Sequence, residues 1–137
     1  MSGRDFLDTN VLVYAYQTTD ISKQRVARAL VSRAVAGEFV ISTQVLAEFS
    51  TTLLQMLKPP LSVAQVTKAL DGLGSIPLIA PDGDMVRRAV EAHGAYGIHF
   101  YDGMIVAAAE RAGCEKIWSE DLNAGQEYFG VVVENPF

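Results

Sequence analysis

An almost wholly apolar helix with one carboxylate near its start constrains how this chain folds. Residues 101–109 read Tyr-Asp-Gly-Met-Ile-Val-Ala-Ala-Ala. A helix that is apolar on nearly every side is typical of the interior of a domain. Asp102 stands in its first turn, where the helix dipole compensates only part of the cost of burying a charge. Asp102 is therefore either a capping residue or part of a site with a cation, a hydrogen-bond network or water.

Length and composition indicate one globular domain, residues 1–137. Half of the residues are hydrophobic and 20% are charged, which excludes a disordered chain. No apolar run is long enough for a membrane span, and the first residues lack the layout of a signal peptide. The one cysteine, Cys114, cannot form an internal disulfide. We therefore expect a cytoplasmic protein with no membrane partner.

The charge balance limits the kind of nucleic-acid contact that the chain can make. Its 16 acidic and 11 basic side chains give a net charge of −5. A broad nucleic-acid-binding surface would be basic, so we do not expect one. A nucleic-acid enzyme whose acids bind metal remains compatible with this balance, because bound cations invert the local electrostatics.

Short apolar strands alternate with amphipathic helices along the chain. The predicted strands are a short one ending before Asp8, then residues 39–41, 76–80, 116–119 and 131–133. The predicted helices cover residues 22–36, 43–57, 62 to 72 or 74, a stretch beginning at 82 or 84, and the Asp102 helix up to Gly113. Such alternation predicts an α/β fold with right-handed crossovers and a central, mostly parallel sheet of about five strands.

Three further acids can gather with Asp102. Asp8 and Asp121 each follow an apolar strand, and parallel strands end at the same edge of a sheet. Glu48 lies at the margin of the apolar stripe of the helix predicted at 43–57. Taken singly, these residues are ordinary turn or surface residues. Gathered at one edge, four ionised carboxylates need a cation, and Mg²⁺ and Mn²⁺ prefer oxygen ligands.

Metal-assisted phosphodiester hydrolysis is the reaction that such a site favours. The sequence offers no candidate Ser-His-Asp triad and no Gly-rich phosphate loop. Two ions about 3.5–4 Å apart would activate a water and stabilise the leaving oxygen. His99, three residues before Asp102, is more simply a structural histidine.

Four segments of the sequence carry a resemblance to a known family. They are Phe-Leu-Asp-Thr-Asn-Val-Leu-Val-Tyr at 6–14, Val-Leu-Ala-Glu-Phe at 45–49, the segment 101–109 and Ser-Glu-Asp-Leu-Asn at 119–123. In this order and spacing they resemble the PIN domain, and within it the VapC-like toxins of prokaryotic toxin–antitoxin pairs. The resemblance covers essentially the whole chain and implies a three-layer α/β/α fold.

The resemblance also implies an activity, partners and site residues. The family consists of Mg²⁺- or Mn²⁺-dependent ribonucleases, which implies an RNA substrate, a cognate antitoxin and a homodimer. The metal-binding acids would be Asp8, Glu48, Asp102 and Asp121. Supporting polar residues would be Thr9, Asn10, Ser119 and Asn123, the last standing where many relatives have a further acid. Glu120 should point away from Asp121 if that segment is extended.

Other functions remain open from the residues alone. A binding module with the same fold and no turnover would be favoured by the loss of an acid, but all four acids are present. A phosphoacceptor receiver domain would need a lysine after a late strand, where residues 119–121 read Ser-Glu-Asp. The acids do not distinguish a PIN nuclease of RNA maturation or decay from a toxin, although the small size favours the toxin.

Overall fold

A six-stranded, mostly parallel sheet lies at the centre of the structure, a computed structural model that describes residues 3–137. The strands are β1 (Asp5–Leu7), β2 (Phe39–Ser42), β3 (Leu78–Ile79), β4 (Lys116–Trp118), β5 (Glu127–Tyr128) and β6 (Val131–Glu134). Their order in the sheet is β3-β2-β1-β4-β6-β5. Only the β5–β6 pair is antiparallel among these strands. The predicted α/β fold is therefore confirmed, with one strand more than expected.

Among residues 3–137, six α-helices connect and cover the strands. They are α1 (Thr9–Tyr14), α2 (Ile21–Val35), α3 (Thr43–Thr51), α4 (Val63–Gly72), α5 (Gly83–Tyr96) and α6 (Phe100–Arg111). Within residues 3–137, no helix combines the length and the apolar character that crossing a bilayer requires. The prediction that the N-terminus lacks a signal peptide rests partly on Met1 and Ser2, which lie outside the described residues.

The parallel order brings three chain segments to one edge of the sheet. β1 lies between β2 and β4, and Leu7 pairs with Trp118. The amide of Asp8 donates to the carbonyl of Trp118 at 3.0 Å, which continues this pairing past the end of β1. Residues that follow β1, β2 and β4 therefore lie together at the carboxyl ends of these parallel strands.

Side-chain caps define where the helices begin. Ser42 accepts a hydrogen bond from the amide of Val45 at 3.2 Å and starts α3 directly after β2. Ser62 and Gln65 form a capping box at the start of α4. Asp82 accepts from the amide of Met85 at 3.0 Å and starts α5. Each cap satisfies an amide that the helix itself leaves without a partner.

The helix that carries Asp102 is buried along most of its length. Residues 103–109 of α6 are all buried, as the apolar sequence predicts. At Gly103, an added Cβ would lie 2.8 Å from the carbonyl oxygen of Ala89 in α5. This glycine therefore allows α5 and α6 to pack in direct backbone contact, one residue after Asp102.

The structure departs from the prediction at several elements. The helix predicted at 43–57 is α-helical only to Thr51 and continues as a π-helical segment, Thr52–Met56. The strand predicted at 76–80 contains only Leu78–Ile79 and is the outermost strand on one side of the sheet, where a neighbouring proline such as Pro77 is tolerated. Neither α1 nor β5 was predicted, because elements of six and two residues are too short for periodicity to reveal.

Candidate active site

A cleft of about 540 Å³ opens at the carboxyl edge of the sheet. The four acids that the sequence singled out all line it: Asp8, Glu48, Asp102 and Asp121. Each comes from a different part of the fold, namely the end of β1, the middle of α3, the first turn of α6 and the loop after β4. The structure therefore brings together four carboxylates that are widely separated in sequence.

Asp8 is the most deeply buried of these acids. Only 4% of its surface is exposed. Its carboxylate accepts hydrogen bonds from the amide of Thr9 at 2.7 Å and from the hydroxyl of Ser119 at 2.8 Å. Burial raises the pKa of Asp8 to about 7, because loss of hydration outweighs these two bonds and the charges of Asp121 and Glu48 add to it.

Ser119 connects Asp8 to the loop that carries Asp121. It is fully buried, and its hydroxyl oxygen accepts from the amides of Asp121 at 3.1 Å and Leu122 at 3.3 Å. Because the same hydroxyl donates to Asp8, one side chain fixes the relative positions of two of the four acids.

The first two residues of α1 orient Glu48 and Asp121. The Thr9 hydroxyl donates to Glu48 at 2.8 Å, and the Asn10 side-chain amide donates to Asp121 at 3.1 Å. The Asn10 side-chain oxygen also accepts from the amide of Glu120 at 3.2 Å. The short helix α1 thus links α3 to the loop after β4.

Asp102 is half-buried at the N-terminal end of α6. Burial is the main cause of its raised pKa; Asp121 and Glu48 raise it further, and the nearby His99 opposes the change. His99 itself caps α6, since its ring nitrogen accepts from the amide of Tyr101 at 3.2 Å. The structural interpretation of this histidine therefore accounts for its position.

The four acids supply the oxygen donors that a hard divalent cation prefers, but their side chains do not converge on a common metal position. Within residues 3–137, no three His, Cys, Asp or Glu side chains converge closely enough to hold a metal ion. The carboxylates instead take hydrogen bonds from hydroxyl and amide donors. Carboxylate oxygens around one cleft are the ligands that Mg²⁺ and Mn²⁺ prefer.

Comparison with known proteins decides the family. A model of the PIN domain matches residues 6–126, which is most of the chain. The chain belongs to the PIN domain family. No curated relative matches it in sequence.

Solved structures similar to this PIN domain include several toxins. A toxin–antitoxin complex from Klebsiella pneumoniae matches with a TM-score of 0.72 and 19% identity, covering 97% of this chain and 98% of that one. VapBC2 from Rickettsia felis, bound to a promoter DNA fragment, matches with a TM-score of 0.66 and 19% identity. The match covers 95% of this chain and 96% of that one. The Mycobacterium tuberculosis toxin VapC20, which cleaves the sarcin–ricin loop, matches with a TM-score of 0.64 and 16% identity. The match covers 85% of this chain and 88% of that one. At these identities the likeness shows a common fold.

Two polar residues of this PIN domain are placed differently from expectation. Asn123 is exposed and outside the cleft lining, and its side chain donates to Gln126 at 3.0 Å. Gln126 also accepts from the Tyr128 hydroxyl at 3.0 Å, so these residues brace the loop after β4. Glu120 does not point away; it lines the cleft with Asp121, because the segment after β4 turns and is not extended.

Sequence reasoning also missed Gln44. Its side-chain amide donates to Glu48 at 3.4 Å and to the carbonyl of Tyr101 at 3.0 Å. Gln44 thus ties α3 to the first turn of α6, next to Asp102. A glutamine one helical turn before an acid was the available signal, since residues four apart share a helix face.

Proposed function

We propose that this PIN domain is a metal-dependent endoribonuclease that hydrolyses RNA phosphodiester bonds, and that it is the toxin of a toxin–antitoxin pair. The observation that carries the proposal is that four carboxylates from four elements line one cleft. Family membership supports a nuclease. The whole chain acts as one domain, and its similarity over nearly the full length of a toxin–antitoxin chain supports the toxin assignment.

Asp8, Glu48, Asp102 and Asp121 are the residues that hold Mg²⁺ or Mn²⁺ in this proposal. When bound, such ions supply a water of lowered pKa and stabilise charge on the leaving oxygen. The chain's own contribution is to fix the acids: Ser119 holds Asp8, Thr9 holds Glu48, and Asn10 holds Asp121. Such supporting hydrogen bonds orient ligands and tune their basicity.

We expect the purified protein, freed of any antitoxin, to cleave RNA in Mg²⁺ or Mn²⁺ and to stop cleaving when EDTA is added. Activity should return when the ion is added back in excess. The measurement is cleavage of a labelled RNA on a denaturing gel. A preparation of the Asp102→Asn variant, purified in parallel, controls for contaminating nucleases. Cleavage that persists in EDTA would contradict a metal-dependent reaction.

The proposed partners are an RNA substrate, a cognate antitoxin and a second copy of the chain, in the cytoplasm. Similar structures are described as complexes of toxin with antitoxin. In this chain, Met56 is 66% exposed at the wall of the cleft, and Leu54, two residues earlier in the same helical segment, is also exposed. Exposed apolar side chains next to an active cleft are suited to protein contacts.

We expect a homodimer in solution, and neutralisation of RNA cleavage by the product of the neighbouring gene. Burying the exposed apolar side chains of the π-helical segment provides the driving force. Light scattering coupled to size-exclusion chromatography measures the mass, and the cleavage assay measures neutralisation. A strictly monomeric species at micromolar concentration would rule out the dimer.

A further inference from the structure

The lining of the cleft is strongly acidic. It includes Glu120 besides the four acids described above, and within residues 3–137 no lysine or arginine belongs to it. An RNA strand carries a negative charge at every phosphate, so the phosphates beside the scissile bond need a cation near this lining.

Lys23 contacts two residues of the cleft lining without belonging to the lining itself. It lies in the first turn of α2. Its ammonium group forms an ion pair with the carboxylate of Glu120 and donates to the hydroxyl of Tyr14 at 3.3 Å. Tyr14 and Glu120 both line the cleft, and the Tyr14 hydroxyl donates to Glu120 at 2.6 Å. These contacts bring one positive charge to an otherwise acidic site.

Aromatic rings hold the ammonium group in place. The nitrogen of Lys23 lies 4.8 Å from the centre of the Tyr14 ring and 5.7 Å from that of Phe137. The two rings pack edge to face, with centres 4.9 Å apart. A lysine fixed in this way loses less conformational freedom when it binds a ligand.

Lys23 retains capacity for another acceptor. An ammonium group has three hydrogen-bond donors, and Glu120 and Tyr14 use two of them. The side chains of Lys23 and Glu120 are 32% and 26% exposed. A pair this exposed contributes little stability, so a phosphate oxygen is able to share the ammonium group or to displace the carboxylate.

The helix that carries Lys23 is the basic part of an acidic chain. α2 contains Lys23, Arg25, Arg28 and Arg33 and no acid. It contributes +4 to a net charge of −5, which leaves −9 for the remaining residues. A phosphate chain leaving the cleft past Glu120 therefore passes onto the start of a positively charged helix.

We propose that Lys23 binds a phosphate of the RNA strand beside the scissile bond, while Tyr14 and Glu120 hold its ammonium group at the cleft. The proposal rests on the nucleic-acid substrate of the proposed function. Glu120 has two opposed effects here: it orients Lys23, and its negative charge repels the strand. Glutamine in place of Glu120 keeps an oxygen that can accept from Lys23 and Tyr14 and loses only the repelling charge. Removing the lysine charge and removing the glutamate charge should therefore change RNA affinity in opposite directions.

The test is binding of a fluorescein-labelled single-stranded RNA, followed by anisotropy over a range of salt concentrations. Each variant is made in the Asp102→Asn background, so that binding is read without cleavage. Lys23→Met should weaken binding about tenfold, the loss expected for one charge-assisted hydrogen bond. It should also reduce the slope of log affinity against log salt by about 0.7, the value for one phosphate of a single strand. Glu120→Gln should bind more tightly than the parent.

A second lysine–glutamate pair provides the matched control. The ammonium group of Lys116 donates to Glu134 at 2.9 Å and lies 5.8 Å from the centre of the Trp118 ring. The side chains of Lys116 and Glu134 are 43% and 42% exposed. Lys116 begins β4, at the opposite edge of the sheet from the cleft. Lys116→Met and Glu134→Gln should leave the affinity and the salt slope unchanged, because neither Lys116 nor Glu134 belongs to the lining of the cleft.

The outcomes separate this inference from the proposed function. Equal affinity of Lys23→Met and Lys116→Met overturns the phosphate contact, even if the wild type cleaves RNA. Weakening by both Lys23→Met and Glu120→Gln, together with a lower melting temperature of each, assigns the pair a structural role and also overturns it. If the wild type fails to cleave while Lys23→Met alone lowers affinity, the ribonuclease assignment fails and the phosphate contact stands. Absence of RNA binding by every variant overturns both.

Discussion

Replacing Asp102 with asparagine will lower the rate of RNA cleavage by about a thousandfold and leave the fold intact. Loss of a residue that only supports a metal ligand costs about 10–100-fold, so loss of a ligand should cost more. Asparagine has nearly the same shape as aspartate and keeps the first turn of α6. It also removes a charge whose burial beside Asp121 and Glu48 is unfavourable, as the raised pKa of Asp102 indicates.

An acid in the first turn of another helix provides the control. Asp84 lies in the first turn of α5, is exposed, and is outside the cleft lining. The Asp84→Asn variant should cleave at the wild-type rate. Single-turnover cleavage of a labelled RNA measures the rate, and circular dichroism checks the fold. If Asp102→Asn cleaves as fast as Asp84→Asn, then Asp102 is not part of the reaction.

The Asp8→Asn variant should be more stable than the wild type well above pH 7 in the absence of divalent ions, although it is inactive. The pKa of Asp8 is about 7 in the folded protein, against an ordinary 3.8. Between these values the folded state keeps a proton that the unfolded state has released, so stability falls as the pH rises. Each pH unit costs about 1.4 kcal/mol, which sums to the order of 4 kcal/mol above pH 7.

Asparagine escapes this cost because it does not ionise. The net gain should be smaller, about 2 kcal/mol, since Ser119 and Thr9 bond a carboxylate more strongly than an amide. Near the ordinary pKa of 3.8 the Asp8 side chain is neutral in the folded state, and the advantage of the variant should disappear. Urea unfolding in EDTA across this pH range measures the difference, with Asp84→Asn, a change at an exposed acid outside the cleft lining, as the matched control.

Adding Mg²⁺ should reduce or reverse this ranking. An ion that binds only the folded state adds about 1.4 kcal/mol at tenfold excess over its dissociation constant. The wild type should gain more than Asp8→Asn, which lacks one of the four carboxylates. A variant less stable than the wild type in EDTA above pH 7, with equal responses of both proteins to Mg²⁺, would show that the acids do not form one metal site.

The positions of three of the four acids were predictable because they depend on local patterns. Asp8 and Asp121 each follow a short apolar strand, and parallel pairing carries both to one edge. Asp102 was identifiable because a charge begins a helix that is otherwise apolar. Each of these inferences needs only neighbouring residues and one rule of sheet topology.

The orientation of Glu120 was not predictable in this way. It depends on Tyr14 and Lys23, which lie 106 and 97 positions away in the chain. The bracing of the loop by Gln126 likewise depends on Tyr128, in a strand of two residues that no sequence pattern reveals. Contacts between distant side chains decide such details, and periodicity carries no information about them.

The position of β4 in the sheet has a consequence for the protein during its synthesis. β4 fills the gap between β1 and β6, and the loop after it delivers Asp121, a residue far from Asp8 in the sequence. Until that strand has left the ribosome, Asp8 lacks both its neighbour in the sheet and the Ser119 hydroxyl. A nascent chain that stops before β4 therefore lacks both the strand and the loop that complete the cleft.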